Sequence, residues 1–167
     1  MKRYLYLVRH ATAEDGSSYF NDYTRELTPF GMIEAARVGK YLKDSDLMLD
    51  YIVTSSGIRA FQTAKVLSEQ LKYPVEKIVA TKSLYEDGVK GYMAALTEAP
   101  KDAKIMMLVG HNPDISFFAE YLTHAQIENM KKGSVVMIEF ENLEWNEVSA
   151  RTGRFIEYFT PKSIYES

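Results

Sequence analysis

The chain has 167 residues, 46% hydrophobic and 26% charged, enough for one domain with a substantial buried core. A net charge of -3 without any long basic run argues against a nucleic-acid surface, and the pair Lys131 and Lys132 reads as a solvated turn. No cysteine is present, so neither a disulfide nor a thiolate nucleophile is available, and a reducing cytoplasm is the expected compartment.

The opening MKRYLYLVRH is basic, but its apolar run stops at Val8, too short for a secretory h-region or a membrane helix. Tyr4 to Val8 therefore reads as a strand buried on both faces, and no membrane partner is expected. A long polar loop follows from Ala11 to Arg25. Thr28-Pro29 then opens a helix to about Leu42, with Met32, Ala35, Ala36, Gly39 and Leu42 on one face. Asp50 to Thr54 is the second strand, and Ser55 and Ser56 offer a cap for a helix from Ile58 to Leu71. Val75 to Ala80 reads as a strand, Val89 to Glu98 as a helix, and Ile105 to Val109 as a strand ending at Gly110. Asn112-Pro113 repeats the cap-then-proline start for a helix to about Leu122. Ser134 to Phe140 and Glu147 to Thr152 are expected as strands joined by a turn near Asn142 to Asn146. No repeat or linker divides the chain, so residues 1–167 are read as a single domain. Strands alternating with helices predict an α/β fold, a three-layer α/β/α sandwich on a mostly parallel central sheet.

Three segments follow predicted strands at their C-terminal ends, the edge where open α/β sheets bind ligands. They are Arg9-His10, Ser55 to Arg59, and Gly110 to Pro113. Together they bring two arginines and two of the three histidines into one crevice. Guanidiniums grip phosphoryl oxygens through forked, charge-assisted hydrogen bonds. A neutral imidazole can attack phosphorus and carry it covalently, while a second donates to an oxygen. Helix N-termini near Ile58 and Pro113 would add backbone donors. Taken singly, each of these residues could be a structural strand-end group; jointly they point to phosphoryl transfer. His124, after a helix end and without partners of this kind, stays outside the site.

The string LVRHATAE resembles the opening motif of the histidine phosphatase superfamily, the phosphoglycerate-mutase-like fold. DYTRELTPFG, SSGIRAFQTA and VGHNPD resemble its later blocks in the same order, so the resemblance spans Leu7 to Asp114. Within the superfamily the short length and the DYTRELTPFG block are similar to the SixA-type phosphohistidine phosphatases. The resemblance implies that His10 accepts the phosphoryl group and that Arg9, Arg59 and His111 complete the phosphate pocket. One departure is Ser56-Gly57, where the family commonly has Ser-Pro; Arg59 stays in register. Glu86, in LYEDG, stands where many members carry a proton donor, with Asp87 adjacent; a solvated loop carboxylate is the alternative. Glu14, Thr12, Asn21 and Asp22 lie on the long loop near the entrance and receive no catalytic role.

The stretch from Glu86 to Ile105 is short, so no sizeable lid is expected, and the open pocket suits a phosphorylated protein side chain, with phosphohistidine leading. A phosphatase for small phosphate esters is the main rival. A mutase would need a closed, water-excluding site. A non-catalytic phosphate-binding domain is the rival from another class, and the retained Arg9, His10, Arg59 and His111 argue against it. A di-metal hydrolase would need carboxylate-rich ligand sets that the blocks lack, so no metal and no cofactor are called for.

Overall fold

The computed structural model describes residues 1–18 and 21–166. Among the described residues six strands form one sheet: β1 (Lys2–Arg9), β2 (Tyr51–Ser55), β3 (Val79–Thr81), β4 (Ile105–Gly110), β5 (Val135–Glu141) and β6 (Arg154–Phe159). Their order is β3-β2-β4-β1-β5-β6. β1, β4, β2 and β3 are parallel neighbours, whereas β5 runs antiparallel to both β1 and β6.

The continuous apolar runs of β1 and β4 have a simple cause: both faces of the sheet are covered. Leu5, Leu7, Met106 and Leu108 point into one core with Leu84 of α3 (Ser83–Glu86), Tyr92 of α4 (Val89–Thr97) and Phe118 of α5 (Asp114–Thr123). The alternate residues Tyr6, Val8, Met107 and Val109 point into the other. That second core holds Val38 of α1 (Pro29–Asp44) and Leu67 of α2 (Ile58–Gln70), with Ile164 of α6 (Pro161–Glu166) packed against it. The fold is the three-layer, mostly parallel α/β sandwich that the alternation of elements predicts. Among the described residues no helix is long and apolar enough to cross a membrane.

Local signals act as expected at α1, where Thr28 Oγ1 accepts the Gly31 N–H at 2.9 Å and Pro29 takes the first turn. Its buried face is Gly31, Ala35, Val38, Gly39 and Leu42; Met32, expected inward, is exposed, and Val38 lies on the inward stripe. Two expected caps are otherwise engaged. Ser55 Oγ accepts the Gly57 N–H at 3.1 Å, and neither Ser55 nor Ser56 caps α2, whose cap position is Gly57. Asn112 donates to the Met130 carbonyl and accepts from Ser116 Oγ, and α5 starts only at Asp114. The third strand is shorter than expected, because Val75–Lys77 is a 3-10 turn.

The strand expected from Glu147 to Thr152 is a misreading. Trp145–Glu147 forms a 3-10 turn, Ser149 and Thr152 bond each other, and Arg151 has φ 60. The turn is anchored by Trp145, whose Nε1 donates to the Ala103 carbonyl at 2.7 Å. The strand comes one turn later, as β6, where Phe155, Ile156, Tyr158 and Phe159 supply the aromatic and β-branched side chains a strand needs.

Candidate active site

Parallel register brings the chemistry-bearing residues to one edge. Arg9 pairs with Gly110 and Thr54 with Val109, so His10, Ser55 and His111 leave the sheet side by side. The His10 N–H donates to the Gly110 carbonyl at 3.0 Å, which locks the first strand end to the fourth. The His10 and His111 rings lie 5.3 Å apart between centroids. Arg59, on the first turn of α2, reaches the same point, its Nε 3.3 Å from His10 Nε2.

Two contacts assign the same tautomer to His10. Nδ1 lies 2.7 Å from the Ala11 carbonyl oxygen, an acceptor only, so the ring proton sits there. Nε2 faces the Arg59 Nε–H, a donor only, and therefore presents its lone pair. Burial lowers the pKa of His10 to about 3; the Ala11 bond opposes this, while His111, Arg59 and Arg9 reinforce it. The imidazole is neutral across physiological pH, with its unprotonated nitrogen beside a guanidinium.

His111 is neutral for a related reason. Burial lowers its pKa to about 4, with Arg59 adding to the effect and Asp22 opposing it. Its Nε2 lies 2.8 Å from Ser55 Oγ. That oxygen already accepts the Gly57 N–H, so its hydroxyl proton is available to the ring. If Ser55 donates to Nε2, the ring proton belongs on Nδ1, and Nδ1 is buried with no hydrogen-bond partner among the described residues. An N–H in that position is a donor for an oxyanion. The His111 backbone N–H is itself held by the Tyr92 hydroxyl at 3.1 Å.

Arg9 is half-buried, with Nη1 donating to the Met130 carbonyl at 2.8 Å and Nε buried without a partner among the described residues. Burial also lowers its pKa, though an arginine stays charged. Arg9, His10, Arg59 and His111 thus converge as their motifs suggested: two guanidiniums, one imidazole lone pair and one buried, unpartnered imidazole nitrogen. Such a set fits a tetrahedral oxyanion and needs no reorganisation to stabilise charge on it. Among the described residues no three His, Asp or Glu side chains gather as a metal site would require.

A second layer was less visible in sequence. Asp22, placed on the entrance loop without a role, stands on Arg59: its carbonyl takes Nη1 at 2.8 Å and its Oδ2 takes Nη2 at 2.9 Å. Arg25 donates to its Oδ1 and the Tyr85 hydroxyl to its Oδ2, each at 2.8 Å. Partial burial pushes this carboxyl up, but Tyr85, Arg25 and Arg59 together hold it well below the usual carboxylate range. The Tyr85 ring also meets His111 and Tyr23 edge-on, and the Tyr23 hydroxyl donates to Ser56 Oγ at 2.6 Å. The i, i+3 spacing of Asp22 and Arg25 was the available signal for this cluster. Glu86 follows Tyr85 at the end of α3 but is exposed; its N–H donates to the Lys82 carbonyl at 3.0 Å, and its carboxylate makes no hydrogen bond or ion pair among the described residues. Thr12 contributes its backbone N–H to Glu34, and Glu14 its carbonyl to Arg25. His124 ends α5 in the left-handed conformation, exposed.

Residues 5–86 match the family model of the histidine phosphatase superfamily, branch 1. An uncharacterised protein of Picosynechococcus is 33% identical over 138 residues, covering 79% of this chain and 82% of that one. Among solved structures, a protein of Nakamurella multipartitia named SixA superposes with a TM-score of 0.83 at 23% identity, over 96% of this chain and 97% of that one. The protein histidine phosphatase SixA, complexed with tungstate, superposes with a TM-score of 0.82 at 18% identity, over 96% and 99%. With its motifs in order and its strand ends in place, the chain belongs to the histidine phosphatase superfamily and has the fold of the SixA proteins.

Proposed function

We propose that the chain is a phosphohistidine phosphatase, taking the phosphoryl group from a histidine of another protein onto Nε2 of His10 and releasing it as phosphate. The observation that carries this reading is the state of His10: neutral, its lone pair on Nε2, and next to Arg59. The Nε2 lone pair attacks phosphorus while the substrate P–N bond breaks. Its electron pair leaves on the substrate imidazole, which takes up a proton. Water then attacks the phosphorus of phospho-His10, gives up a proton and displaces neutral His10, releasing inorganic phosphate. Arg9, Arg59 and the Nδ1–H of His111 hold the oxygens as charge redistributes. No step draws on a metal or a cofactor.

The leaving group is the reason to favour phosphohistidine over an ester. An alkoxide needs a proton donor in the transition state, whereas an imidazole leaves with little help. Asp22 is held ionised and cannot serve, and Glu86 is exposed on the rim. Likeness to proteins named SixA, one of them holding the tetrahedral oxyanion tungstate, supports the same reading. A chain without cysteine fits action in the cytoplasm. A Glu86 able to protonate an alkoxide would instead favour small phosphate esters.

The test combines trapping with two substrates. Rapid quenching with a phosphohistidine peptide should leave acid-labile phosphate on His10, located by mass spectrometry, and His10→Ala should reduce turnover to background. An alkyl phosphate should be slower than the peptide by about a hundredfold, the worth of a missing general acid. Wild-type-like turnover by folded His10→Ala would overturn the nucleophile assignment. Equal rates on the two substrates would overturn the choice of phosphohistidine.

A further inference from the structure

Beside the phosphate pocket lies an open groove of about 570 Å³ that shares Arg9 with it. Lys131 and Lys132, from the loop between α5 and β5, and Lys162, from the start of α6, line the groove. The loop is not a loose appendage. The Gly133 N–H lies 3.0 Å from the Arg9 carbonyl and 2.9 Å from the His10 carbonyl, so the two lysines sit on the strand end that carries the nucleophile. Gly133 has φ +74, and a Cβ there would come 2.9 Å from Pro161 Cγ, so glycine is what lets the loop and the start of α6 close together.

The charge of this groove is unusual for the chain. The protein as a whole carries -3, yet four cations line the groove against one carboxylate, Glu34, whose Oε1 already accepts the Thr12 N–H at 2.9 Å. Among the described residues Arg9, Lys131, Lys132 and Lys162 enter none of the ion pairs that occupy other arginines and lysines. Like charges gathered without partners repel one another, which costs stability unless an anion settles among them. The form of the groove separates two kinds of anion. A compact second phosphate is best held by arginine forks and converging backbone donors, and three long exposed lysines on two segments supply neither. They suit a run of carboxylates spread along a protein surface.

We infer that this groove is a docking subsite for a carboxylate-rich segment of the phosphorylated protein, lying beside the residue whose phosphoryl group enters at His10. The inference rests on the phosphoprotein reading above but adds what selects among such proteins. Sequence alone made Lys131 and Lys132 a solvated turn, because nothing local shows that Arg9 and Lys162 face them across the groove.

The experiment uses the full chain and matched phosphopeptides with aspartate-rich or neutral flanks, made once with phosphohistidine and once with phosphotyrosine. Wild type should favour the acidic flank in kcat/KM by about tenfold or more at low salt, and the preference should fade at high salt as charges are screened. The triple variant K131E/K132E/K162E should lose the preference while its turnover of p-nitrophenyl phosphate stays within about twofold, because the small substrate reaches only the phosphate pocket. K131Q/K132Q/K162Q, which removes charge without reversing it, should fall between the two. An absent preference in wild type, or one that survives both variants, would overturn the subsite. So would lysine-dependent selection of a sugar bisphosphate over its monophosphate without selection among peptides. If only the phosphotyrosine pair is turned over but shows the preference, the groove stands and the phosphohistidine reading falls.

Discussion

On the proposed reaction, Asp22 places a negative charge where a phosphoryl dianion approaches. Its carboxylate and carbonyl hold both terminal nitrogens of Arg59, leaving Nε toward His10, so the arginine is oriented before substrate arrives. Orientation of this kind favours the transition state, while the like charge weakens ground-state binding of a dianion. Asp22→Asn should therefore bind inorganic phosphate more tightly, by about threefold or more, because a repulsion near the surface is removed. The inhibition constant of phosphate against p-nitrophenyl phosphate measures this, and weaker inhibition would show that Asp22 acts only as a prop. Gly57 is the other single residue with a chemical consequence. Its N–H donates to Ser55 Oγ, a bond that the proline common at this position in the family could not make. In this chain the hydroxyl orientation at His111 is thus set partly by the residue that departs from the family pattern.

Among elements, the packing of α4 against the end of β4 fixes His111. Tyr92 is fully buried, and its hydroxyl accepts the His111 N–H; burial raises the pKa of the phenol, and the bond from His111 opposes that rise. Gly110 leaves the room for this: a Cβ there would lie 1.9 Å from the Tyr92 hydroxyl oxygen. Gly110→Ala should destabilise the protein by roughly 1–3 kcal/mol through overpacking. Tyr92→Phe should cost about 1–3 kcal/mol, since the His111 N–H is left buried and unpaired. Combined, the two should cost less than their sum, because the phenylalanine withdraws the atom that the alanine strikes. Urea unfolding of the single and double variants checks this; strict additivity would mean that the strand moves instead. The element that resisted sequence reading, the last strand, failed for a comparable reason. Val148 and Thr152 look like strand residues one at a time, but the turn before them is held by Trp145, bound to Ala103 across the fold, and β6, the strand that pairs with β5, begins only at Arg154.

At the scale of the whole molecule, the two buried neutral histidines make stability depend on pH. In the unfolded chain both titrate near the ordinary 6.5, while folded His10 and His111 titrate at about 3 and about 4. Between those values the unfolded chain binds more protons than the folded one, so stability is full above about pH 6.5 and falls as pH drops through the window. The urea midpoint should decline from pH 7 to pH 4.5, and His10→Gln, which keeps a polar side chain but does not titrate, should flatten the decline. A midpoint that holds level over this range would mean that the imidazoles are far more solvated than their burial implies.

The four pocket residues were legible from sequence because strand ends are. Apolar runs stop abruptly at Val8 and Val109, and a parallel sheet necessarily gathers such ends on one edge. Residue types and chain order were therefore enough to assemble Arg9, His10, Arg59 and His111 and to infer the sandwich around them. Hydrogen bonds between distant segments follow no period, and only the tertiary structure decided those: which nitrogen of His10 carries the proton, that Asp22 stands on Arg59, and that Lys131, Lys132 and Lys162 share a groove with Arg9. Each depends on side-chain directions fixed by packing across layers, and a linear pattern of apolar and polar residues does not record them.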